Sequence, residues 1–140
     1  MASLTVRRQA YRRKQLARFR IIVKDPGVAA TFYVDVFGFA VDMQVPPFAM
    51  VTKGDATLLL SGPRSSAGQA MPDGREPGTV GWNRILIEVD DIEAEVERIR
   101  KLGVQFRNEI LDGVGGKQIL AEDPDGNPIE LFESSGNFQR

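Results

Sequence analysis

The sequence contains no histidine and no cysteine. Histidine is the commonest general base near neutral pH and the commonest transition-metal ligand. Its absence excludes serine–histidine chemistry and leaves zinc, nickel and ferrous iron without their usual nitrogen donor. The absence of cysteine excludes disulfides, thiolate metal sites and cysteine nucleophiles, and it fits a reducing cytoplasm. No stretch approaches the roughly 20 apolar residues of a membrane span, and the basic N-terminus has no apolar segment behind it. Neither a phosphate loop nor a dinucleotide fingerprint is present. The expectation is a cytoplasmic chain with no cofactor, no metal and no membrane partner.

What is present is ordinary for a globular protein: 140 residues, 42% hydrophobic and 26% charged. Such a chain buries enough surface to fold without covalent staples. The net charge of −1 hides an asymmetry. Seven cations (Arg7, Arg8, Arg12, Arg13, Lys14, Arg18 and Arg20) and no acid fall in the first 20 residues, leaving 11 cations against 19 acids beyond them. A basic arm can hold nucleic acid. Here only Tyr11 and Phe19 could stack on bases, so nucleic acid is not expected, and a solubilising or dimer-packing arm over 1–17 is the simpler reading.

Hydrophobic periodicity organises the rest. Phe19 to Lys24 alternates like a strand. Asp25-Pro26 then opens a helix with Val28, Phe32 and Val36 in its stripe, flanked by Ala29 and Tyr33, and Gly38 ends it. Three short strands are expected at 39–44, 47–53 and 56–61, with Gly54-Asp55 turning between the last two. Residues 62–80 are rich in glycine, proline and serine and read as a linker loop. The pattern then restarts. A strand over 82–89 precedes a helix over 92–102, headed by Asp90-Asp91 and ended by Gly103. Strands near 104–111, 116–122 and 128–133 follow, with the turn Asp123 to Asn127 separating the last two.

The two halves are in register. Arg18 stands seven residues before Asp25, and Arg84 stands seven before Asp91, an offset of 66 at both pairs. Duplication at this spacing predicts an α+β fold of two βαβββ modules, 18–61 and 81–134, followed by a short tail over 135–140. Each sheet should carry its helix on the outer face and turn its other face to a shared cup. Parity then assigns the faces. Phe19, Ile21 and Val23, like Ile85, Ile87 and Val89, should meet the helices. Arg18, Arg20, Ile22, Leu59, Trp82, Arg84, Leu86, Glu88, Glu130 and Phe132 should face the cup.

The segments Phe32–Phe39 (FYVDVFGF), Val89–Val104 and Glu122–Glu133 (EDPDGNPIELFE), in this order, resemble the vicinal oxygen chelate superfamily of glyoxalases, bleomycin-resistance proteins and extradiol dioxygenases. The resemblance covers about 18–133 and implies paired βαβββ modules around a cup. It implies that enzymes of the family hold a divalent metal there through histidine and glutamate side chains, and that metal-free members sequester drugs. The family's ligand positions fall on Arg18, Leu59, Arg84 and Glu130. Arginine offers a metal no lone pair and leucine cannot ligate, so one carboxylate remains. The resemblance therefore points to a metal-ligand-deficient member.

Two readings of the substituted positions stand open. Arg84 and Glu130 form a structural ion pair where a metal once sat, or the guanidinium fork holds an anionic or carbonyl oxygen of a ligand. Phe48, Met50, Leu59, Trp82 and Phe132 are candidate pocket walls, since aromatic faces and methionine suit planar ligands. These residues with Arg84 and Glu130 form the expected binding set. The functional expectation is a metal-free, small-molecule-binding homodimer resembling drug-sequestering proteins, with an aromatic or anionic ligand. The alternative is a glyoxalase-like lyase, isomerase or dioxygenase using Glu130 as base and Arg84 to stabilise negative charge.

Overall fold

A computed structural model describes residues 18–79 and 81–136. The basic arm over 1–17 and the last four residues of the tail lie outside the described residues. The first module runs β1 (Phe19–Ile22), α1 (Pro26–Phe37), β2 (Ala40–Val45), β3 (Phe48–Lys53) and β4 (Ala56–Ser61). The second runs β5 (Ile85–Glu88), α2 (Ile92–Lys101), β6 (Leu111–Asp112), β7 (Gly116–Glu122) and β8 (Pro128–Ser134). Each module forms its own mixed sheet, in the orders β1-β4-β3-β2 and β5-β8-β7-β6. The first strand of each module pairs in parallel with its last, so the two sheets repeat one topology.

The local signals act as their chemistry dictates. The carboxylate of Asp25 accepts the N–H groups of Gly27 and Val28, and Pro26 fills the first turn, where its missing donor costs nothing. Gly38 closes α1 at φ +74°, a left-handed conformation that a side chain would strain. Asp91 caps α2 by accepting the Ala94 N–H, whereas its neighbour Asp90, also expected as a cap, is not one.

Alternation along the strands puts Ile21, Val23, Val51, Leu58 and Leu60 with Ile119, Ile129 and Leu131 in one core continuous across both modules. Tyr33 is fully buried at its centre, edge-on to Phe32 and Phe39 at ring-centroid distances of 5.2 and 5.6 Å. Two residues depart from the expected inward sets: Phe19, at the free end of β1, is 39% exposed, and Val28, in the first turn of α1, is 54% exposed.

The expected strand near 104–111 does not form as a strand; β6 is two residues long. Gln105 and Arg107 exchange backbone hydrogen bonds with Glu122 and Leu120 of β7. At the next step the side chain of Asn108 accepts the Leu120 N–H at 3.0 Å. A side-chain oxygen thus takes the place of a ladder carbonyl, and the segment leaves the sheet.

Beyond the shared core, hydrogen bonds between described residues tie the first module to the second. Lys24 N–H donates to Asp125, the Asn127 amide donates to the Ile22 carbonyl, the Tyr33 hydroxyl donates to Asp123, and Arg98 donates to the Val36 carbonyl. Three of these end in the turn between β7 and β8. Among the described residues no helix is long and apolar enough to cross a membrane.

Candidate functional site

The face of each sheet turned away from its helix carries the candidate residues. On the first sheet, register sets Arg20 beside Leu59 and Leu59 beside Met50. The next row sets Ser61 beside Phe48. These strands and the loop after β4 enclose a cavity of about 400 Å³. Phe48, Met50 and Leu59 meet there, with Leu59 buried as floor, and Arg18, Arg20 and Arg64 stand around them. Arg20 is steadied by a 2.8 Å hydrogen bond from Nη1 to Ser61 Oγ.

On the second sheet Glu130 lies beside Leu86 and Leu120, and Phe132 lies beside Gln118. Glu130 is 6% exposed. Its Oε1 accepts from Arg84 Nε at 3.0 Å and Nη2 at 2.9 Å, and Arg84 Nη1 also reaches the Trp82 carbonyl at 3.2 Å. The structure therefore brings Arg84 and Glu130 together as the sequence suggested, and it brings Phe48, Met50 and Leu59 together separately.

Trp82 joins neither group. It is 67% exposed, and its ring lies under the guanidinium of Arg107 at 4.5 Å, a cation–π arrangement. Arg107 is fixed in turn by Glu122 at 2.8 Å and by the Gly81 and Gly126 carbonyls. Trp82 lines a cavity of about 510 Å³ at the seam of the modules, bounded by Phe19, Arg20 and Pro128. Arg20 borders both this seam and the cavity of the first sheet.

Sequence reasoning missed Arg64 and Ser66, because the path of the loop after β4 carries no periodic signal. It had put Arg20 on the cup side by parity but did not count it in the binding set. It also took the Asp123–Asn127 segment as a plain turn. Asp123 is 4% exposed. It accepts the N–H groups of Asp125 and Asn127, the Asn127 amide and the Tyr33 hydroxyl. Burial raises its pKa above the usual carboxylate range, although these donors, the Asn127 amide foremost, pull it down. Burial, and then the charge of Asp123, push the Tyr33 hydroxyl up.

A metal held by Arg18, Leu59, Arg84 and Glu130 does not fit. Three of the four have no donor atom, and the oxygen of Glu130 described above is engaged by a guanidinium. Among the described residues one acidic group, Asp91, Glu93 and Glu133, brings carboxylate oxygens within 4.8 Å of one another. It lies at the start of α2, where Glu133 accepts the Ile92 N–H and Glu93 pairs with Lys117.

Two sheets of one doubled βαβββ topology define a class of fold, and comparison with known proteins gives the family. The family model described as Glyoxalase/Bleomycin resistance protein/Dioxygenase superfamily matches residues 15–131. The chain belongs to this superfamily. Over 129 residues it is 32% identical to the uncharacterized protein YaeR of Escherichia coli K12, covering 86% of this chain and 96% of that one. Among solved structures it is similar to TnmS3, an antibiotic binding protein from Streptomyces sp. CB03234. The TM-score there is 0.66 at 27% identity, covering 89% of this chain and 98% of TnmS3. A lactoylglutathione lyase from Agrobacterium tumefaciens shares the fold at TM-score 0.63 and 24% identity, covering 86% of this chain and 96% of the lyase.

Proposed function

We propose that the chain is a binding protein that holds a small organic molecule in its cup, as a cytoplasmic homodimer and without a histidine-ligated metal. The observation that carries this reading is the Arg84–Glu130 pair. Of the four positions where the family places metal ligands, only Glu130 has a suitable donor, and two guanidinium N–H groups occupy its Oε1. The walls would be Phe48, Met50 and Leu59 in the first half of the cup, with Trp82 and Phe132 toward the second. A concave, largely apolar site with a few fixed polar groups is what small-molecule binding requires. Similarity to TnmS3, an antibiotic binding protein, supports a drug-sized ligand. The homodimer is supported by the edge strand β2, whose Val41, Met43 and Val45 are all exposed.

The alternative, a lyase, isomerase or dioxygenase with Glu130 as base, is disfavoured by the same pair. A base must present a lone pair to substrate, and here the guanidinium competes for the carboxylate by holding its Oε1 through two N–H groups.

Native mass spectrometry of protein purified without chelator tests the reading. A metal-free dimer, with or without an organic adduct, is the expected result. One tightly held divalent ion per cup would overturn it, and a monomer at micromolar concentration would remove the dimer.

A further inference from the structure

Eight arginines fall among the described residues, and five of them pair with a carboxylate: Arg75, Arg84, Arg98, Arg100 and Arg107. The other three, Arg18, Arg20 and Arg64, have no carboxylate partner among the described residues, and all three line the cavity of the first sheet. No aspartate or glutamate lines that cavity. Acids outnumber cations over the rest of the chain, so three unpaired guanidinium groups around one hollow are not a shortage of partners. Like charges crowded at one rim repel, and an anion between them relieves that cost.

We propose that this cavity binds an organic anion, a carboxylate or phosphate carried on an apolar body. This rests on the binding reading above and names the ligand class. The anionic head would sit among the three guanidinium groups, whose planar forks suit two-point contact with either oxyanion. The body would lie on Phe48, Met50 and Leu59.

The wall that carries Arg64 is built rigidly. The Ser65 hydroxyl donates to the Gly62 carbonyl at 2.6 Å and accepts the Gly68 N–H at 3.1 Å. The Gly62 N–H donates to the Pro47 carbonyl, which ties the loop to the turn before β3. Arg20 is held by Ser61. A site fixed before the ligand arrives loses less entropy on binding. Its volume of about 400 Å³ suits a small molecule.

Isothermal titration calorimetry of the full chain with 1-naphthyl phosphate, 1-naphthoate, 1-naphthol and 1-naphthylmethylammonium tests the proposal. The two anions share the body of the neutral and cationic probes. The expected result is one anion per chain, bound at least about tenfold tighter than 1-naphthol. Arg64→Gln, whose exposed side chain supports no described contact, should weaken the anions by about tenfold and leave 1-naphthol unchanged. Arg20→Gln should act in the same direction. Equal binding of all four probes would overturn the anion assignment and leave small-molecule binding standing. Failure of every probe at millimolar concentration would sink both. Tight anion binding unaltered in Arg64→Gln and Arg20→Gln would place the anion elsewhere, as on the basic first 17 residues, and would overturn the proposal. So would an Arg64→Gln chain that loses only its dimer in sedimentation velocity.

Discussion

The hydroxyl of Tyr33 donates a 3.0 Å hydrogen bond to Oδ2 of Asp123, 90 residues further along the chain. Both groups are buried, one in the helix of the first module and the other in the final turn of the second. The bond joins the two halves of the duplicated fold where no strand pairing does. Tyr33→Phe keeps the ring and its edge-on contacts with Phe32 and Phe39 and removes only the donor. A hydrogen bond to a charged group contributes roughly 1.5–3 kcal/mol, and that loss is the expected destabilisation. Urea unfolding should show a lower midpoint at unchanged slope. An unaltered midpoint would mean that the tyrosine ring alone holds the seam.

The raised pKa of Asp123 gives stability a signed pH dependence. The folded state binds this proton more tightly than the unfolded state does. The resulting stabilisation is full below the unfolded value of about 3.9 and is lost as pH rises through the folded value. Asp123→Asn removes the titration while its amide oxygen still accepts the Asp125 and Asn127 N–H groups. Unfolding free energies from pH 3.5 to 8 should therefore show the wild type losing ground to Asp123→Asn as pH rises. Combining Tyr33→Phe with the native Asp123 should shift that window upward, because the hydroxyl holds the carboxyl pKa down. A difference curve that climbs with pH would contradict the assignment.

The pair Arg84–Glu130 should behave as a buried ion pair. Arg84→Met leaves a carboxylate that is 6% exposed without its cation, a loss on the order of 3 kcal/mol. Replacing both partners, Arg84→Met with Glu130→Leu, removes the uncompensated charge and should recover most of that loss. A double-mutant cycle measures the coupling. Additive single effects would show that the two side chains do not depend on each other.

Much of this architecture is legible without coordinates. Period-two alternation placed Ile21 and Val23 on the helix face and Arg20 and Leu59 on the cup face, and the 66-residue offset between Arg18 and Arg84 exposed the duplication. Asp25 and Gly38 bound the first helix through contacts made within a few residues, so their roles are written locally. The Tyr33–Asp123 bond leaves no such trace, because nothing periodic links residues 90 apart. The strand expected near 104–111 failed for a related reason: Asn108 displaces a ladder carbonyl at Leu120, and that exchange depends on the partner strand. Arg64 was hidden in a loop whose path follows from where Gly62, Ser65 and Gly68 meet. The Arg84–Glu130 pair was visible because parity carries Arg84, immediately before β5, to the same face as Glu130 on β8, whose parallel partner is Leu86.

Gly68 fixes the wall of the first half-cup through space rather than through backbone conformation. A Cβ placed there would lie 2.2 Å from the Gly62 carbonyl oxygen and 2.9 Å from its carbon. Both are backbone atoms, so no side chain can swing aside, and the loop must open to admit a methyl group. Opening it breaks the Ser65–Gly62 and Gly68–Ser65 bonds and carries Arg64 away from Arg18 and Arg20. Because the loop lies outside both sheets, Gly68→Ala should cost only about 1–3 kcal/mol of stability through local strain, with the fold retained by circular dichroism. Its larger effect should be on binding: 1-naphthyl phosphate should weaken by about tenfold, as in Arg64→Gln, and adding Arg64→Gln to Gly68→Ala should weaken it little further. Fully additive losses would mean that the loop and the arginine act on the ligand independently.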